Sequence, residues 1–139
     1  MIVLDTNVVS EPMKPSGNFA LRAWLDQQAA ETLYLTTTSL SEPLVGIEVL
    51  PDGKRKEGLA TALSELVVRL FGSRVLSLDQ QAAMVYAPLI GRARASGCHI
   101  SVADGQIAAI ATVHGFIVAT RDTAPFVAAG VSVINPWEA

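Results

Sequence analysis

The sequence predicts an α/β fold in which helices flank a central parallel sheet of four to five strands. Apolar segments of strand length alternate along the chain with segments in which apolar residues recur at helical spacing. Such alternation is typical of parallel sheets that are covered by helices on both faces. Half of the 139 residues are apolar and 17% are charged, which provides for a core and excludes an intrinsically disordered chain.

The strands are predicted where short segments of aliphatic and β-branched residues occur. In chain order they cover residues 1–4, 33–37, 74–78, 116–120 and 131–134. The helices are predicted from apolar residues that recur three or four positions apart. They cover a short segment around residues 21–28, and then residues 40–50, 59–70, 82–97 and 102–113.

Individual residues mark some of the predicted helix ends. Ser16 or Asn18 is a candidate N-cap for the first helix, because short polar side chains accept hydrogen bonds from the first free amides. Gly115 follows the alanine-rich helix and is a candidate for the left-handed residue that ends it. No repeat or linker interrupts the pattern, so we expect a single domain over residues 1–139.

Charge and cysteine content exclude several classes of protein. The net charge of −3 argues against a protein that coats nucleic acid with a broad basic surface, but not against an acidic, metal-dependent nuclease. Cys98 is the single cysteine, which excludes an intrachain disulfide and a cysteine-based zinc site. The longest stretch without a charged side chain is 16 residues, shorter than the roughly 20 that span a membrane. No basic segment precedes the first apolar residues, so we expect a cytoplasmic protein without a signal peptide or membrane contact.

Four acidic residues stand at the ends of predicted elements. Asp5, Glu42 and Asp122 follow the first, second and fourth strands, and Asp104 lies in the first turn of the alanine-rich helix. In a parallel sheet the carboxyl ends of the strands share one edge with the starts of the helices, so these carboxylates are expected to converge. Each acid alone is more commonly a helix cap, and the convergence depends on the predicted topology.

Converging carboxylates favour a divalent cation. Like charges held close together repel one another unless a cation neutralises them. Oxygen-only ligands suit Mg²⁺ or Mn²⁺, and no histidine or cysteine accompanies the four acids. Two such ions can activate a water and stabilise the leaving oxygen of a phosphodiester.

Four segments of the chain carry recognisable motifs. They are MIVLDTNVVSEP at residues 1–12, ADGQIAA at 103–109, VATRDT at 118–123 followed by Phe126, and VSVINPW at 131–137. Together they resemble the PIN-domain toxins of the VapC group, in particular the FitB branch. The resemblance implies a PIN-like three-layer fold and a ribonuclease that depends on Mg²⁺ or Mn²⁺. It also implies the toxin component of a type II toxin–antitoxin system, which commonly forms a homodimer.

The resemblance also implies a role for individual residues. Asp5 and Asp104 would be the main metal ligands, Glu42 would help to hold the ion and its water, and Asp122 would bind a second ion or orient water. Supporting roles would fall to three further residues, Asn7, Thr120 and Arg121, the last as a phosphate contact.

The resemblance further implies a protein partner, an antitoxin of the VapB or FitA type. Its C-terminal segment would lie in a groove on the toxin and push a basic side chain into the acidic site. Operator DNA would then be contacted only through the antitoxin.

Pro43 departs from the family pattern. Proline disfavours the helical conformation of the residue before it but is accepted at a first helical position. The sequence therefore predicts that Glu42 is an N-cap, whose carboxylate would cap the helix instead of binding metal. An alternative function follows, a weakly active or inactive PIN module that serves mainly as antitoxin partner in a DNA-bound repressor complex.

Lys54, Arg55 and Lys56 form the one dense basic run of the sequence. Two interpretations stay open: a solvated helix start, or phosphate contacts that guide RNA towards an otherwise repulsive acidic cleft. Serine hydrolase chemistry has no support, since no Gly-x-Ser-x-Gly motif is present.

Overall fold

A five-stranded parallel sheet forms the centre of the computed structural model, which describes residues 1–14 and 16–139. Its strands are β1 Ile2–Leu4, β2 Leu33–Thr36, β3 Val75–Leu76, β4 Ile117–Ala119 and β5 Val133–Ile134. They are arranged in the order β3-β2-β1-β4-β5, with Ile2 of β1 opposite Leu33 on one side and Ile117 on the other. The parallel sheet and all five strand positions predicted from the sequence are confirmed.

Helices connect the strands and cover the sheet. They are α1 Thr6–Ser10, α2 Phe19–Gln27, α3 Thr37–Glu48, α4 Lys54–Leu66, α5 Gln80–Ala95, α6 Val102–His114 and α7 Ala124–Ala128. A π-helical turn, Val67–Phe71, continues α4, and 3-10 turns lie at Glu11–Met13 and Ala30–Thr32. None of the helices in the described part of the chain has the length and apolar character needed to cross a membrane.

Two apolar clusters lie on opposite faces of the sheet. Side chains alternate along a strand, so Val3 faces the cluster built from α5, α6 and α7, and Leu4 faces the one built from α1, α2 and the π-helical turn. Both residues are at most 1% exposed. This arrangement gives the three-layer fold that the sequence predicts.

Helix ends follow local capping rules. Asn18 accepts a hydrogen bond from the Leu21 amide at 3.0 Å and is the N-cap of α2, which decides between the two predicted candidates. Gly115 adopts a left-handed conformation (φ 69°) and ends α6, as predicted. The short helices α1 and α7 were not expected, because five residues are too few to show a helical period.

The start of α3 corrects the prediction for Glu42. The Thr36 hydroxyl accepts a hydrogen bond from the Ser39 amide at 3.0 Å, so the helix begins at Thr37 and not at Pro43. Glu42 is therefore a helical residue in the second turn, and its assignment as an N-cap is wrong. Pro43 lies inside the helix, where its lack of an N–H removes the hydrogen bond to the Ser39 carbonyl.

Candidate active site

The candidate site lies where the strand order reverses. From β1 the chain proceeds to β2 and β3 on one side of the sheet, whereas β4 and β5 lie on the other side. In open parallel sheets, ligands bind beyond the carboxyl ends of the strands at such a switch point. Asp5 directly follows β1, and Asp122 follows the neighbouring strand β4.

A cleft of about 250 Å³ opens at this point. The side chains that line it are Asp5, Thr6, Asn7, Ser10, Glu42, Asp104 and Asp122. The cleft thus brings together the four acidic residues that the sequence analysis places at one edge of the sheet. It also contains three uncharged side chains that carry oxygen atoms.

Asp5 is the most deeply buried of the four carboxylates, with 5% of its surface exposed. Its Oδ1 accepts a hydrogen bond from the Thr6 amide at 2.8 Å, and its Oδ2 accepts one from the Thr120 hydroxyl at 2.8 Å. The same Thr120 oxygen accepts a hydrogen bond from the Asp122 amide at 3.1 Å. Thr120 therefore connects the ends of β1 and β4 and fixes the orientation of Asp5.

Burial raises the pKa of Asp5 above its usual value. The hydrogen bonds from Thr120 and Thr6 act in the opposite direction, and the nearby charge of Asp122 raises the pKa further. The side chain is thus held in one orientation, while its negative charge is poorly compensated within the protein. A cation beside Asp5 would supply that compensation.

Asp104 enters the cleft from the first turn of α6. Ser101 is the N-cap of this helix, and its hydroxyl accepts a hydrogen bond from the Asp104 amide at 3.1 Å. Burial raises the pKa of Asp104 to about 6, and repulsion from Asp5 adds to the increase. The hydrogen bond with Ser101 lowers this pKa, and smaller increases come from Asp122 and Glu42, so the other three acids of the cleft all repel a charge on Asp104.

Glu42 lines the cleft from the second turn of α3, although its side chain is exposed. The helix is aligned by its cap at Thr36 and by contacts with α1 and α6. A hydrogen bond of 3.1 Å from the Thr38 hydroxyl to Gln106 Oε1 joins the first turn of α3 to the second turn of α6. Pro43 therefore does not remove Glu42 from the cleft.

The donor atoms of the cleft fit a hard divalent cation. Two of them, Asn7 Oδ1 and Thr6 Oγ1, are buried without a hydrogen-bond partner among the described residues. Buried polar atoms nearly always have a partner, so these oxygens are available to an ion or to its water. Within residues 1–14 and 16–139 no group of three acidic, histidine or cysteine side chains forms a ready-made ligand set. An ion held here would therefore keep water molecules in part of its coordination sphere, as Mg²⁺ commonly does.

Comparison with known proteins agrees with the fold. The family model described as the PIN domain matches residues 2–131 of the chain. The chain belongs to the PIN-domain family. Since the match covers most of the chain, the family assignment applies to the described fold as a whole.

Several relatives of this PIN domain match over nearly their whole length. Plasmid stability protein StbB of Pseudomonas syringae pv. tomato is 50% identical over 100% of both chains. VapC ribonuclease Y4jK of Sinorhizobium fredii is 49% identical over 99% of both chains. Toxin FitB of Neisseria gonorrhoeae is 44% identical, again over 99% of both chains. In a solved structure of FitAB bound to a DNA fragment, one chain superposes with a TM-score of 0.94 at 43% identity, covering 99% of this chain and 96% of that one.

The PIN domain places the three predicted supporting residues differently. Asn7 lines the cleft, and Thr120 contacts it through its hydrogen bond to Asp5. Arg121 is exposed and is not among the residues that line the cleft, and its guanidinium lies 5.4 Å from the centre of the Trp137 ring. The distance and orientation are those of a cation–π contact.

Two residues of the cleft, Thr6 and Ser10, were missed by the sequence analysis. Both lie on α1, the short helix that Asp5 caps. The sequence signal for this helix was Asp5 followed by a polar residue, because aspartate is a favoured N-cap. The same side chain therefore caps a helix and lines the cleft, so the two interpretations of Asp5 are compatible.

Proposed function

We propose that this PIN domain is a divalent-metal-dependent ribonuclease that cleaves RNA internally by phosphodiester hydrolysis, and that it is the toxin component of a type II toxin–antitoxin system. The observation that carries the proposal is the group of four carboxylates around one cleft at the topological switch point. Relatives named as a VapC ribonuclease and as Toxin FitB support the same chemistry and the same role.

The residues of the cleft have different roles in this chemistry. Asp5 and Asp104 are the main ligands for Mg²⁺ or Mn²⁺, and Glu42 and Asp122 complete the acidic set. A divalent cation bound there supplies an activated water and neutralises charge on the phosphodiester. Thr120 keeps Asp5 oriented through their 2.8 Å hydrogen bond.

Two further residues support this chemistry. Asn7 offers its unpartnered Oδ1 to the hydrated ion. Arg121, outside the cleft on the turn that connects Thr120 with Asp122, is available to a phosphate of the substrate.

A cleavage assay tests the proposal. Purified chain, freed of any partner, is incubated with RNA in Mg²⁺, in Mn²⁺ or in EDTA. We expect cleavage only with metal, and a loss of at least about a hundredfold in Asp5→Asn and Asp104→Asn. Equal cleavage by wild type and both variants, or cleavage in EDTA, would overturn the assignment of the site.

Glu42 has a matched control on its own helix. Glu48 is an exposed glutamate of α3 that does not line the cleft. We expect Glu42→Gln to reduce cleavage and Glu48→Gln to leave it unchanged. The alternative of an inactive module rested on Glu42 as an N-cap, and the helical position of Glu42 removes that reason. The alternative would return if Glu42→Gln behaved like Glu48→Gln and no variant lost activity.

The partner of this chain is, in the same proposal, an antitoxin of the VapB or FitA type. The solved complex of FitAB with DNA, which contains a chain of the same fold, supports this assembly. Operator DNA would be contacted through the antitoxin. Exposed apolar side chains are available for a partner and for a homodimer, among them Leu44 and Val45 of α3 and Val49, which follows that helix.

A further inference from the structure

An apolar groove of about 670 Å³ lies beside the acidic cleft. Ser10 lines both cavities, and the neighbouring residues Glu42 and Pro43 line the cleft and the groove respectively. The floor of the groove is formed by aliphatic and thioether side chains, among them Met13 and Ile47. A chain that leaves the cleft in this direction therefore enters the groove directly.

Basic side chains surround this groove in a protein whose net charge is negative. Lys14, Lys54 and Arg55 line it, and the last two belong to the first turn of α4. Lys14 is paired with Glu11, its Nζ lying 3.1 Å from Glu11 Oε2, so the charges that bear on a ligand are those of Lys54 and Arg55. Cations are unfavourable at a helix N-terminus, because the helix dipole is positive there. The preceding residue, Gly53, has no side chain to cap the free amides. Local helix stability does not explain these charges, whereas an anionic ligand would.

Lys56, the third base of the run, has a structural role instead. Its Nζ donates a hydrogen bond to the Glu48 carbonyl at 3.0 Å and lies 3.4 Å from Asp52 Oδ1. It therefore connects the end of α3 with the start of α4. Among the described residues neither Lys54 nor Arg55 forms an ion pair, so their charges remain available.

Two helical glycines keep the groove open. Gly46 of α3 and Gly58 of α4 both line it, and a Cβ atom at either position would meet no atom within 4 Å. Glycine is a poor residue inside a helix, and among residues 1–14 and 16–139 no neighbouring side chain needs the space. Both helices thus present bare backbone to the groove, which allows a ligand to approach closely.

We propose that this groove binds single-stranded RNA on one side of the scissile phosphate, with Lys54 and Arg55 contacting its phosphates. The inference rests on the proposed function. A nuclease with an acidic cleft must hold an RNA strand whose phosphates are repelled by the carboxylates of that cleft. Basic side chains directly beside the cleft offset that repulsion. The charge of the groove favours a polyanion over an apolar peptide as its occupant.

The basic run Lys54–Lys56 offers both a test variant and a matched control. The double variant Lys54→Gln/Arg55→Gln removes the proposed phosphate contacts, and Lys56→Gln removes a charge from the same run without touching the groove. On an RNA that the wild type cleaves, we expect the double variant to raise KM about tenfold with kcat nearly unchanged. Lys56→Gln should leave KM unchanged.

Binding of a fluorescein-labelled ten-nucleotide RNA tests the groove independently of cleavage. We expect the slope of log Kd against log salt to decrease by about 1.4 in the double variant, since each lost contact to a single strand contributes about 0.7. Gly58→Trp, which fills the groove, should weaken binding strongly, whereas Gly58→Ala, which adds a single carbon atom, should weaken it much less. Equal RNA affinity in the double variant and in Lys56→Gln would overturn the proposal and leave the groove to a peptide partner.

The two proposals fail in different ways. If the wild type cleaves RNA but the groove variants retain its KM and Kd, the groove assignment is wrong and the nuclease stands. If the wild type cleaves no RNA but binds the labelled strand through Lys54 and Arg55, the nuclease assignment is wrong and the RNA groove stands.

Discussion

Asp104 is one residue through which pH acts on the metal-free fold. Its pKa is raised from 3.8 to about 6, so the folded state holds a proton that the unfolded state has lost between these two values. The folded state is therefore favoured below pH 4, and this contribution is lost as the pH rises through about 6. We expect Asp104→Asn to be more stable than wild type at pH 7.5, by about 1 kcal/mol once solvent screening is allowed for.

Urea unfolding in EDTA at pH 4 and pH 7.5 measures this effect. The difference between Asp104→Asn and wild type should be much smaller at the lower pH, where the Asp104 carboxyl of the folded protein is neutral. Asp26→Asn, which removes an exposed carboxylate of α2, serves as the control and should show no comparable gain. A variant that is less stable than wild type at pH 7.5 would show that the Asp104 carboxylate is not destabilising in the folded protein.

Asp5 shows how much of the site the sequence predicts. Asp5 directly follows an apolar strand in a chain where strands and helices alternate, so its position at the carboxyl edge of the sheet can be predicted. The sequence does not show that Thr120 binds this acid, because 115 residues separate the two and only the pairing of β1 with β4 brings them together. The resemblance to the VapC group implied a phosphate contact for Arg121, and in the structure the Arg121 side chain lies over Trp137, outside the residues that line the cleft.

At the scale of elements, close packing between α5 and α6 positions Asp104. A Cβ atom at Gly105 would lie 2.7 Å from Tyr86 Cε2 and 2.8 Å from Ile90 Cδ1. Gly105→Ala should gain about 1 kcal/mol of helix propensity but lose about 1–3 kcal/mol through overpacking. We expect a net loss of about 1 kcal/mol in urea unfolding, with weaker Mn²⁺ binding in calorimetry because the first turn of α6 moves.

Gly91 provides the contrast for Gly105. It lies in α5 and a Cβ atom there would meet nothing within 4 Å. Gly91→Ala should therefore raise the free energy of unfolding by up to about 1 kcal/mol and leave Mn²⁺ binding unchanged. If both alanine variants stabilised the protein equally, the close approach of α5 and α6 would not restrict residue 105.

The interior proline of α3 lowers the stability of that helix. Pro43 donates no hydrogen bond to the Ser39 carbonyl, and proline is the least favourable residue within a helix. We expect Pro43→Ala to raise the free energy of unfolding by about 1–2 kcal/mol, after allowance for the more flexible unfolded chain. RNA cleavage should be retained, since Glu42 is already helical.

Pro43→Gly, in the same urea unfolding measurement, separates the effect of the missing hydrogen bond from the effect of helix propensity. It restores the N–H but has poor helix propensity, so its gain should be smaller by about 1 kcal/mol. A decrease in stability in both variants would show that the proline ring itself is needed. The sequence analysis placed the start of this helix too late because it applied the local preference of proline to Glu42. In the structure Thr36 caps the helix, and α3 also contacts α1 and α6.

For the whole molecule, the strand order creates the cleft. Alternating patterns predicted the strands and helices, yet they do not state which strands are neighbours. The order β3-β2-β1-β4-β5 places the first and fourth strands side by side, and this long-range pairing makes one cleft from acids that are far apart in the chain. Strand lengths also differ from those predicted, because only two residues each of β3 and β5 join the ladder.

The proposed metal site links the stability of the whole fold to metal binding, because negative charge is concentrated in this cleft. An ion that binds only the folded state stabilises it by about 2.7 kcal/mol at one hundred times its Kd. For a chain of 139 residues this corresponds to an increase in Tm of roughly 6–10 °C. We expect Mn²⁺ to produce such an increase in thermal unfolding of the wild type, and EDTA to reverse it.

The acid variants distinguish specific binding from general screening of charge. Asp5→Asn and Asp104→Asn should lose most of the increase in Tm with Mn²⁺, while Asp104→Asn starts from a higher Tm without metal because a repelling charge has been removed. Sodium chloride at the same ionic strength should reproduce little of the effect, since buried charges are screened weakly by salt. If sodium chloride raised the Tm as much as Mn²⁺ does, the four carboxylates would be a repulsive surface that any cation relieves, and not a site for a divalent ion.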